Sequence, residues 1–250
     1  MSSVSSSPVR DAVILAAGNG DRFKNPDHHS KLLHPVLGQP LILRTLETAA
    51  AAGLTHLHVV VGFEADRVRS VIAQNPIRGV TVDFAYNPDW HLENGVSALA
   101  ARVICRADRF ALMMGDHLFE PAAVQHLASQ RVSRGLSLLA IDTAQTDPEV
   151  IAEATRVQLD GNRIVAIGKN LDPWDALDTG LFVFTPELFD ALEEAQRMGQ
   201  TTLSAGVQRL AQRGRILGVP IAVPSWCDVD TVDDLAAAES RFAAAAPEPA

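Results

Sequence analysis

Asp11-Ala-Val-Ile-Leu-Ala-Ala-Gly-Asn-Gly-Asp-Arg22 decides the reading of this chain. Residues 11–17 form a short apolar run that stops at Gly18-Asn19-Gly20. A run of this length, closed by glycines, reads as a buried strand feeding a tight turn. Such a strand aims its turn at the carboxyl edge of a sheet, where α/β folds bind ligands. Gly18 and Gly20 let the backbone approach phosphates closely, Arg22 offers a planar fork for phosphate oxygens, and Lys31 further on offers a point charge. The third glycine of a dinucleotide fingerprint is absent, and so is the Gly-Lys-Ser/Thr of a P-loop. The same turn could also be a plain tight connection.

Working outward, residues 40–52 have helical composition and stop at Gly53. A β-branched strand is predicted over 56–61, a helix over 64–74 and a strand over 80–86. Asn87-Pro88-Asp89 breaks the chain, a helix follows over 96–104, and a strand over 110–114. This alternation predicts a three-layer, Rossmann-like α/β fold with a mostly parallel sheet. Later, residues 156–159 and 163–167 flank Asp160-Gly161-Asn162, a hairpin signal. A strand over 181–184 and helices over 186–195 and 231–241 complete the reading. With no repeat and no linker, one domain is expected over 10–242, with antiparallel elaboration in its second half and flexible tails over 1–9 and 243–250.

Composition narrows the function classes. The 250 residues carry a net charge of −9, which argues against a non-specific nucleic-acid binder that needs a basic face. The two cysteines, Cys105 and Cys227, sit in no Cys/His cluster, so a reducing cytosol is expected and a structural zinc site is not. No targeting segment and no apolar run of ~20 residues stands out, so the expectation is a cytoplasmic protein without a membrane span.

Four further segments carry chemistry. Met114-Gly-Asp-His117 closes a predicted strand, which puts the Asp116 carboxylate at the same edge as the glycine turn. Trp226-Cys-Asp-Val-Asp230 offers Asp228 or Asp230 to complete a hard oxygen site for Mg²⁺; the plain alternative is that these residues and Thr231 cap the next helix. Glu93-Asn-Gly-Val-Ser97 opens a helix, where Asn94 and Ser97 either offer polar groups to a base and ribose or cap that helix. Lys169 follows the strand ending in Ile167-Gly168, and the plain alternative is that a lone lysine there is solvated surface. His28, His29, His56 and His58 read as solvent-exposed or packed rather than as ligands.

Taken in this order, the segments resemble the nucleotidyltransferase superfamily of sugar-phosphate activation. Glu93-Asn-Gly-Val-Ser97, Met114-Gly-Asp-His117, Glu153-Ala-Thr155, Ile167-Gly-Lys169, Asp178-Thr-Gly180 and Trp226-Cys-Asp-Val-Asp-Thr231 sharpen this to the CTP:inositol-1-phosphate cytidylyltransferase family, over nearly the whole chain. The resemblance implies CMP transfer from CTP to inositol 1-phosphate, with release of pyrophosphate. It implies that Leu15, Ala16, Ala17, Gly18, Asn19, Gly20, Asn94, Gly95 and Ser97 bind the nucleotide. Arg22, Lys31, Asp116 and Lys169 would be catalytic, and Asp116 and Asp228 would hold Mg²⁺. Glu153, Thr155, Lys169 and Asp178 would bind the acceptor. The chain departs from the family where Ser30, not proline, precedes Lys31. Family members are often fused to a membrane-embedded CDP-alcohol phosphotransferase, whose Asp-x-x-Asp-Gly-x-x-Ala-Arg motif is missing here, so hand-off to a separate membrane protein is implied. Two alternatives stay open: another acceptor (a hexose 1-phosphate, phosphocholine or a phosphonate), or a non-catalytic nucleotide-binding regulator on the same fold.

Overall fold

The computed structural model describes residues 8–20, 23, 29–222, 226–229 and 231–242. Most of the expected tails (residues 1–7 and 243–250), together with Arg22, His28 and Asp230, lie outside the described residues. Strand β1 (Asp11–Ala16) leads through the small hairpin β2 (Pro35–Val36) and β3 (Gln39–Pro40) to helix α1 (Leu41–Ala51). Then come β4 (His56–Val61), α2 (Ala65–Gln74), β5 (Thr81–Tyr86), α3 (Asn94–Ala100) and β6 (Phe110–Met114). These elements match the sequence reading closely. The difference is at α3, which begins at Asn94-Gly95 because Glu93 takes the extended N-cap conformation. Asn and Gly are weak helix formers, so residues 94 and 95 read as loop.

The second half contains β7 (His117–Phe119), α4 (Pro121–Ala128), β8 (Ser137–Asp142), α5 (Pro148–Glu153), β9 (Arg156–Asp160), β10 (Arg163–Gly168) and β11 (Ala176–Phe184). Helices α6 (Glu187–Arg197) and α7 (Leu203–Gln212), strands β12 (Ile216–Pro220) and β13 (Trp226–Asp228) and helix α8 (Val232–Phe242) close it. Strands β9 and β10 pair antiparallel across the Asp160-Gly161-Asn162 turn, as expected. Strand β11 is longer than the apolar run 181–184 suggests. Its register shifts between Asp178 and Phe182, and the polar residues in that bulge hide the strand from an apolar-run reading.

Among the described residues the main sheet has nine strands, in the order β5-β4-β1-β6-β11-β8-β12-β10-β9. The first four are mutually parallel, and antiparallel β11 joins them to the later strands. Strands β4 and β5 lie on one side of β1, and β6 lies on the other. The chain therefore reverses its direction of travel between β1 and β6, and a crevice opens there at the carboxyl ends.

Both faces of the sheet are covered. Ala12, Ile14 and Ala16 point to a core shared with α1, α2, α4 and α8, whereas Val13 and Leu15 point to a second core under α3, α6 and α7. A strand buried on both faces reads as a continuous apolar run, which is why β1 is legible from sequence. Val9, just before β1, is already buried.

Helix α3 approaches the turn before α7 most closely at Gly95, where a Cβ would lie 2.5 Å from the Thr201 carbonyl oxygen. The obstruction is backbone and cannot swing away. Gly95→Ala is expected to lower unfolding stability by roughly 1–3 kcal/mol through overpacking. Urea denaturation followed by circular dichroism measures this, and an unchanged midpoint would mean that α3 can shift freely.

Candidate active site

The site forms where the topology opens the crevice. β1 runs out at Ala16, and the segment after it, with Gly18 and Gly20, forms one wall. β6 runs out at Met114, and Gly115 N–H still donates to the Leu15 carbonyl at 2.9 Å, so the two strand ends stay tied past the sheet. Thr45 Oγ1, from α1, donates to the Gly115 carbonyl at 3.0 Å and braces the next residue, Asp116.

A cleft of about 130 Å³ lies between these ends, lined by Leu15, Ala17, Gly18, Gly20, Lys31, Leu32, Trp90, Leu92, Asn94, Ser97, Met114 and Asp116. The expected nucleotide residues Leu15, Ala17, Gly18, Gly20, Asn94 and Ser97 thus share one cavity. Ala16 does not line it, because side chains alternate along a strand and Ala16 packs in the core on the opposite face. Gly95 does not line it either, since it is buried against Thr201 and Thr202. Asn19 is half-buried and outside the lining.

Neither Asn94 nor Ser97 caps α3. Asn94 Oδ1 accepts from Leu203 N–H at 2.8 Å, which commits its oxygen to α7 and leaves the amide NH₂ as its group for a ligand. Ser97 Oγ accepts from Asn87 Nδ2 at 3.0 Å.

Across the cleft the charged groups converge. Lys31 is buried, at 5% side-chain exposure, and its Nζ lies 2.8 Å from Asp116 Oδ2. A lysine this buried needs a counter-charge. Gly20 makes room for it: a Cβ at Gly20 would lie 2.7 Å from Lys31 Cβ. His117 Nδ1 lies 3.1 Å from Asp116 Oδ1 and 3.5 Å from Asp228 Oδ1. Strand pairing brings Asp228 there, because β13 runs antiparallel to β7 with Asp228 opposite His117. Thr231 and Asp234 form a reciprocal capping pair at the start of α8, with Asp234 N–H donating to Thr231 Oγ1 at 3.2 Å and Thr231 N–H to Asp234 Oδ2 at 2.7 Å. Thr231 is the cap, and Asp228 faces the site instead.

The electrostatics follow from this crowding. Burial raises the Asp116 carboxyl, but Lys31 and His117 outweigh it and hold Asp116 well below the usual carboxylate range. Burial lowers His117, but Asp228 and Asp116 carry it up to about 9, so the imidazole is a cation at neutral pH. Its ring stacks on Trp226, 6.1 Å between centroids, and Trp226 Nε1 donates to the buried Asp142 at 3.1 Å. Sequence reading singled out neither Trp226 as a platform nor Asp142 and Trp90. An isolated aspartate or tryptophan carries no local signal of this kind.

Asp116, His117 and Asp228 offer ligand atoms that all lie within 4.8 Å of one another. Two carboxylates converging on one point fit a hard divalent cation held by Asp116 and Asp228. His117, hydrogen-bonded to Asp116, fits the supporting role that orients a ligating carboxylate.

Among the residues expected to meet the acceptor, burial pushes the Asp178 carboxyl up to about 6, against the lowering effects of the Gly180 N–H and of His117. Gly180 packs on His117, where a Cβ would lie 2.9 Å from the ring. Asp178 N–H donates to the Thr155 carbonyl at 2.8 Å. The registers Gly168↔Arg156 and Leu177↔Arg156 set Lys169, Thr155 and Asp178 at neighbouring strand ends. Lys169 and Glu153 are exposed.

His29, His56 and His58 do not join this carboxylate cluster. His58 is buried with Nε2 3.0 Å from Asp11 Oδ1, while His56 and His29 are exposed. These placements agree with the packed or exposed reading.

Comparison with known proteins agrees with this geometry. The bifunctional IPC transferase and DIPP synthase of Rubrobacter xylanophilus is 36% identical over 234 residues, covering 91% of this chain and 51% of that protein. The protein of the same name from Aquifex aeolicus is 31% identical over 231 residues, covering 91% of this chain and 50% of that protein. The chain thus spans about half the length of these curated relatives. Among solved structures, the inositol-1-phosphate CTP transferase from T. maritima superposes with a TM-score of 0.80 at 23% identity, covering 94% of this chain and 97% of that one. These relatives bear out the resemblance read from the sequence. The family model of the MobA-like NTP transferase domain matches residues 12–216, and the chain belongs to that family.

Proposed function

We propose that the chain transfers CMP from CTP to inositol 1-phosphate, forming CDP-inositol and releasing pyrophosphate. The observation that carries this reading is the convergence of Lys31, Asp116, His117 and Asp228 at the mouth of the cleft behind the glycine turn. The names of the relatives supply the substrates. The curated relatives are about twice as long as this chain, whereas the T. maritima transferase is covered over 97% of its length.

The reaction is an in-line displacement. An acceptor phosphate oxygen attacks the α-phosphorus of CTP, a new P–O bond forms, and the bond to the pyrophosphate oxygen breaks. A phosphomonoester has its second pKa near ~6, so the attacking oxygen is already largely deprotonated at pH 7. No general base is needed. The work left to the protein is positioning and charge neutralisation.

In this reading the Ala17, Trp90 and Leu92 walls and the Asn94 amide take the base and ribose. The backbone at Gly18 and Gly20, with Arg22, takes the triphosphate. Mg²⁺ held by Asp116 and Asp228 would neutralise charge on the phosphate oxygens. Lys31 would leave its pairing with Asp116 for the phosphoryl group as negative charge shifts there. His117 keeps the Asp116 carboxylate oriented. Lys169 would receive the acceptor phosphate, and Thr155, Asp178 and Glu153 would pair with ring hydroxyls. A protonated Asp178 can donate to a hydroxyl as well as accept from one. Among the described residues no helix is long and apolar enough to cross a membrane.

Three measurements test the proposal. Asp116→Asn is expected to cut turnover on the order of a thousandfold while circular dichroism shows a folded protein, because several kcal/mol of transition-state stabilisation depend on that carboxylate. Unchanged turnover at saturating Mg²⁺ would remove Asp116 from the site.

Lys31→Ala is expected to lower kcat more than it raises KM for CTP, because its charge matters most in the transition state. A rise in KM alone would make Lys31 a ground-state binder.

For specificity, kcat/KM is to be measured for CTP and UTP with inositol 1-phosphate, glucose 1-phosphate, phosphocholine and an aminoalkyl phosphonate. A pocket built to pair with hydroxyls leaves polar groups unpaired when phosphocholine enters, so discrimination of about 10⁴-fold is expected. A preference for any other acceptor would replace the inositol assignment, and no pyrophosphate release with any pair would favour a nucleotide-binding regulator.

A further inference from the structure

Lys31 opens a single 3-10 turn, Lys31–Leu33. Ser30 occupies the cap position of this turn but makes no side-chain cap bond. The cap comes from a distant element. Glu64 Oε2 accepts from Ser30 N–H at 2.6 Å, a contact between residues 34 positions apart. Its other oxygen, Oε1, accepts from Arg67 NH1 at 2.7 Å and lies 3.1 Å from His29 Nδ1. Arg67 also contacts the His29 ring. The two residues before Lys31 are thus clamped to the first turn of α2.

The backbone of Glu64 is unusual. It sits at φ 48° and ψ 35°, in the left-handed region, at the N-cap of α2. Side chains other than Gly, Asn and Asp rarely adopt this conformation. The usual N-cap side chains are short and accept from a backbone N–H of their own helix, and the Glu64 side chain accepts from no backbone N–H of α2. A cheaper residue for the helix start would be Gly or Asn. The glutamate is long enough to reach Ser30 instead, and strained conformations of this sort persist where surrounding contacts hold them, often at functional sites.

Lys31 needs a fixed root. Its side chain has several rotatable bonds, yet it must place one ammonium 2.8 Å from Asp116 in a buried setting over Gly20. We propose that Glu64 is a positioning residue for the transfer reaction, capping from outside the turn that carries Lys31 and so fixing where the Lys31 ammonium stands. The proposal rests on the reading above in which Lys31 acts on the phosphates.

The test uses the full chain with Glu64→Gln, Glu64→Ala and Glu64→Gly, each also combined with Lys31→Ala. It reads kcat, KM for CTP and the thermal unfolding midpoint. Glu64→Gln keeps an acceptor for Ser30 N–H and is expected to stay within about threefold of the parent kcat. Glu64→Ala and Glu64→Gly are expected to lower kcat by about ten- to a hundredfold, with a smaller change in KM. Glu64→Gly relieves the left-handed strain, so its unfolding midpoint is expected to equal or exceed the parent's. A residue that served only the fold would show the opposite: lost stability with activity kept by the molecules still folded. In the Lys31→Ala background, Glu64→Gly is expected to add little further loss, because residues that act as a unit are non-additive. An unchanged kcat for Glu64→Gly, a large drop in its stability, or an equal fold-loss in both backgrounds would overturn the proposal. If Lys31→Ala alone leaves kcat unchanged, the role given to Lys31 fails first, and the single variant shows that directly.

Discussion

Two carboxylates held at one strand end are the constraint around which this molecule is organised. Asp116 and Asp228 come together because β13 pairs with β7, and that pairing sets Asp228 opposite His117. Like charges this close repel strongly in a partly dry setting. The protein answers with two cations of its own, Lys31 on one oxygen of Asp116 and His117 between both carboxylates. Removing one partner of such a cluster leaves an uncompensated charge, which costs more than the pair contributes. The same arrangement fits a divalent cation on the two carboxylates.

Support for the cluster comes from the fold on three sides. Thr45 braces the turn before Asp116 from α1. Trp226, fixed by the buried Asp142 on β8, gives the His117 ring a flat platform. Glu64 at the head of α2 holds the approach to Lys31. These supports come from different layers, so the site reports on the assembly of the whole sheet. A site fixed by packing and hydrogen bonds from rigid elements keeps its geometry when charges rearrange, which preorganised electrostatic catalysis requires.

The residues expected to meet the acceptor are held differently. Asp178 and Thr155 meet through a backbone hydrogen bond at the bulge of β11, while Lys169 and Glu153 stand exposed. The cleft between β1 and β6 is framed by rigid elements, whereas this rim is open and polar, as loops that carry variable function usually are.

Sequence alone determined the first half of the sheet and the family of the domain. Strands β1, β4, β5 and β6 are apolar runs bounded by turn residues, and local sequence suffices for such elements. The motifs around Gly18, Asn94, Asp116 and Asp228 carried the family resemblance, which the relatives bear out. What sequence did not settle was anything fixed by partners far along the chain. The Ser137–Asp142 segment is Leu- and Ala-rich and suits helix or strand equally, and it becomes β8 only because β11 and β12 flank it. Helix α7 carries a Thr202 cap that accepts from Ala205 N–H, a signal short enough to pass for a turn. Whether Asp228 capped a helix or faced a cleft turned on its pairing with His117, more than a hundred residues away. Ala16 and Gly95 show the reverse limit: a motif names the residues, but alternation along a strand and the approach of α7 decide which side chains meet the cleft. Tertiary structure made these choices because burial and charge are settled by neighbours in space, whereas periodicity and turn chemistry are settled by neighbours in sequence.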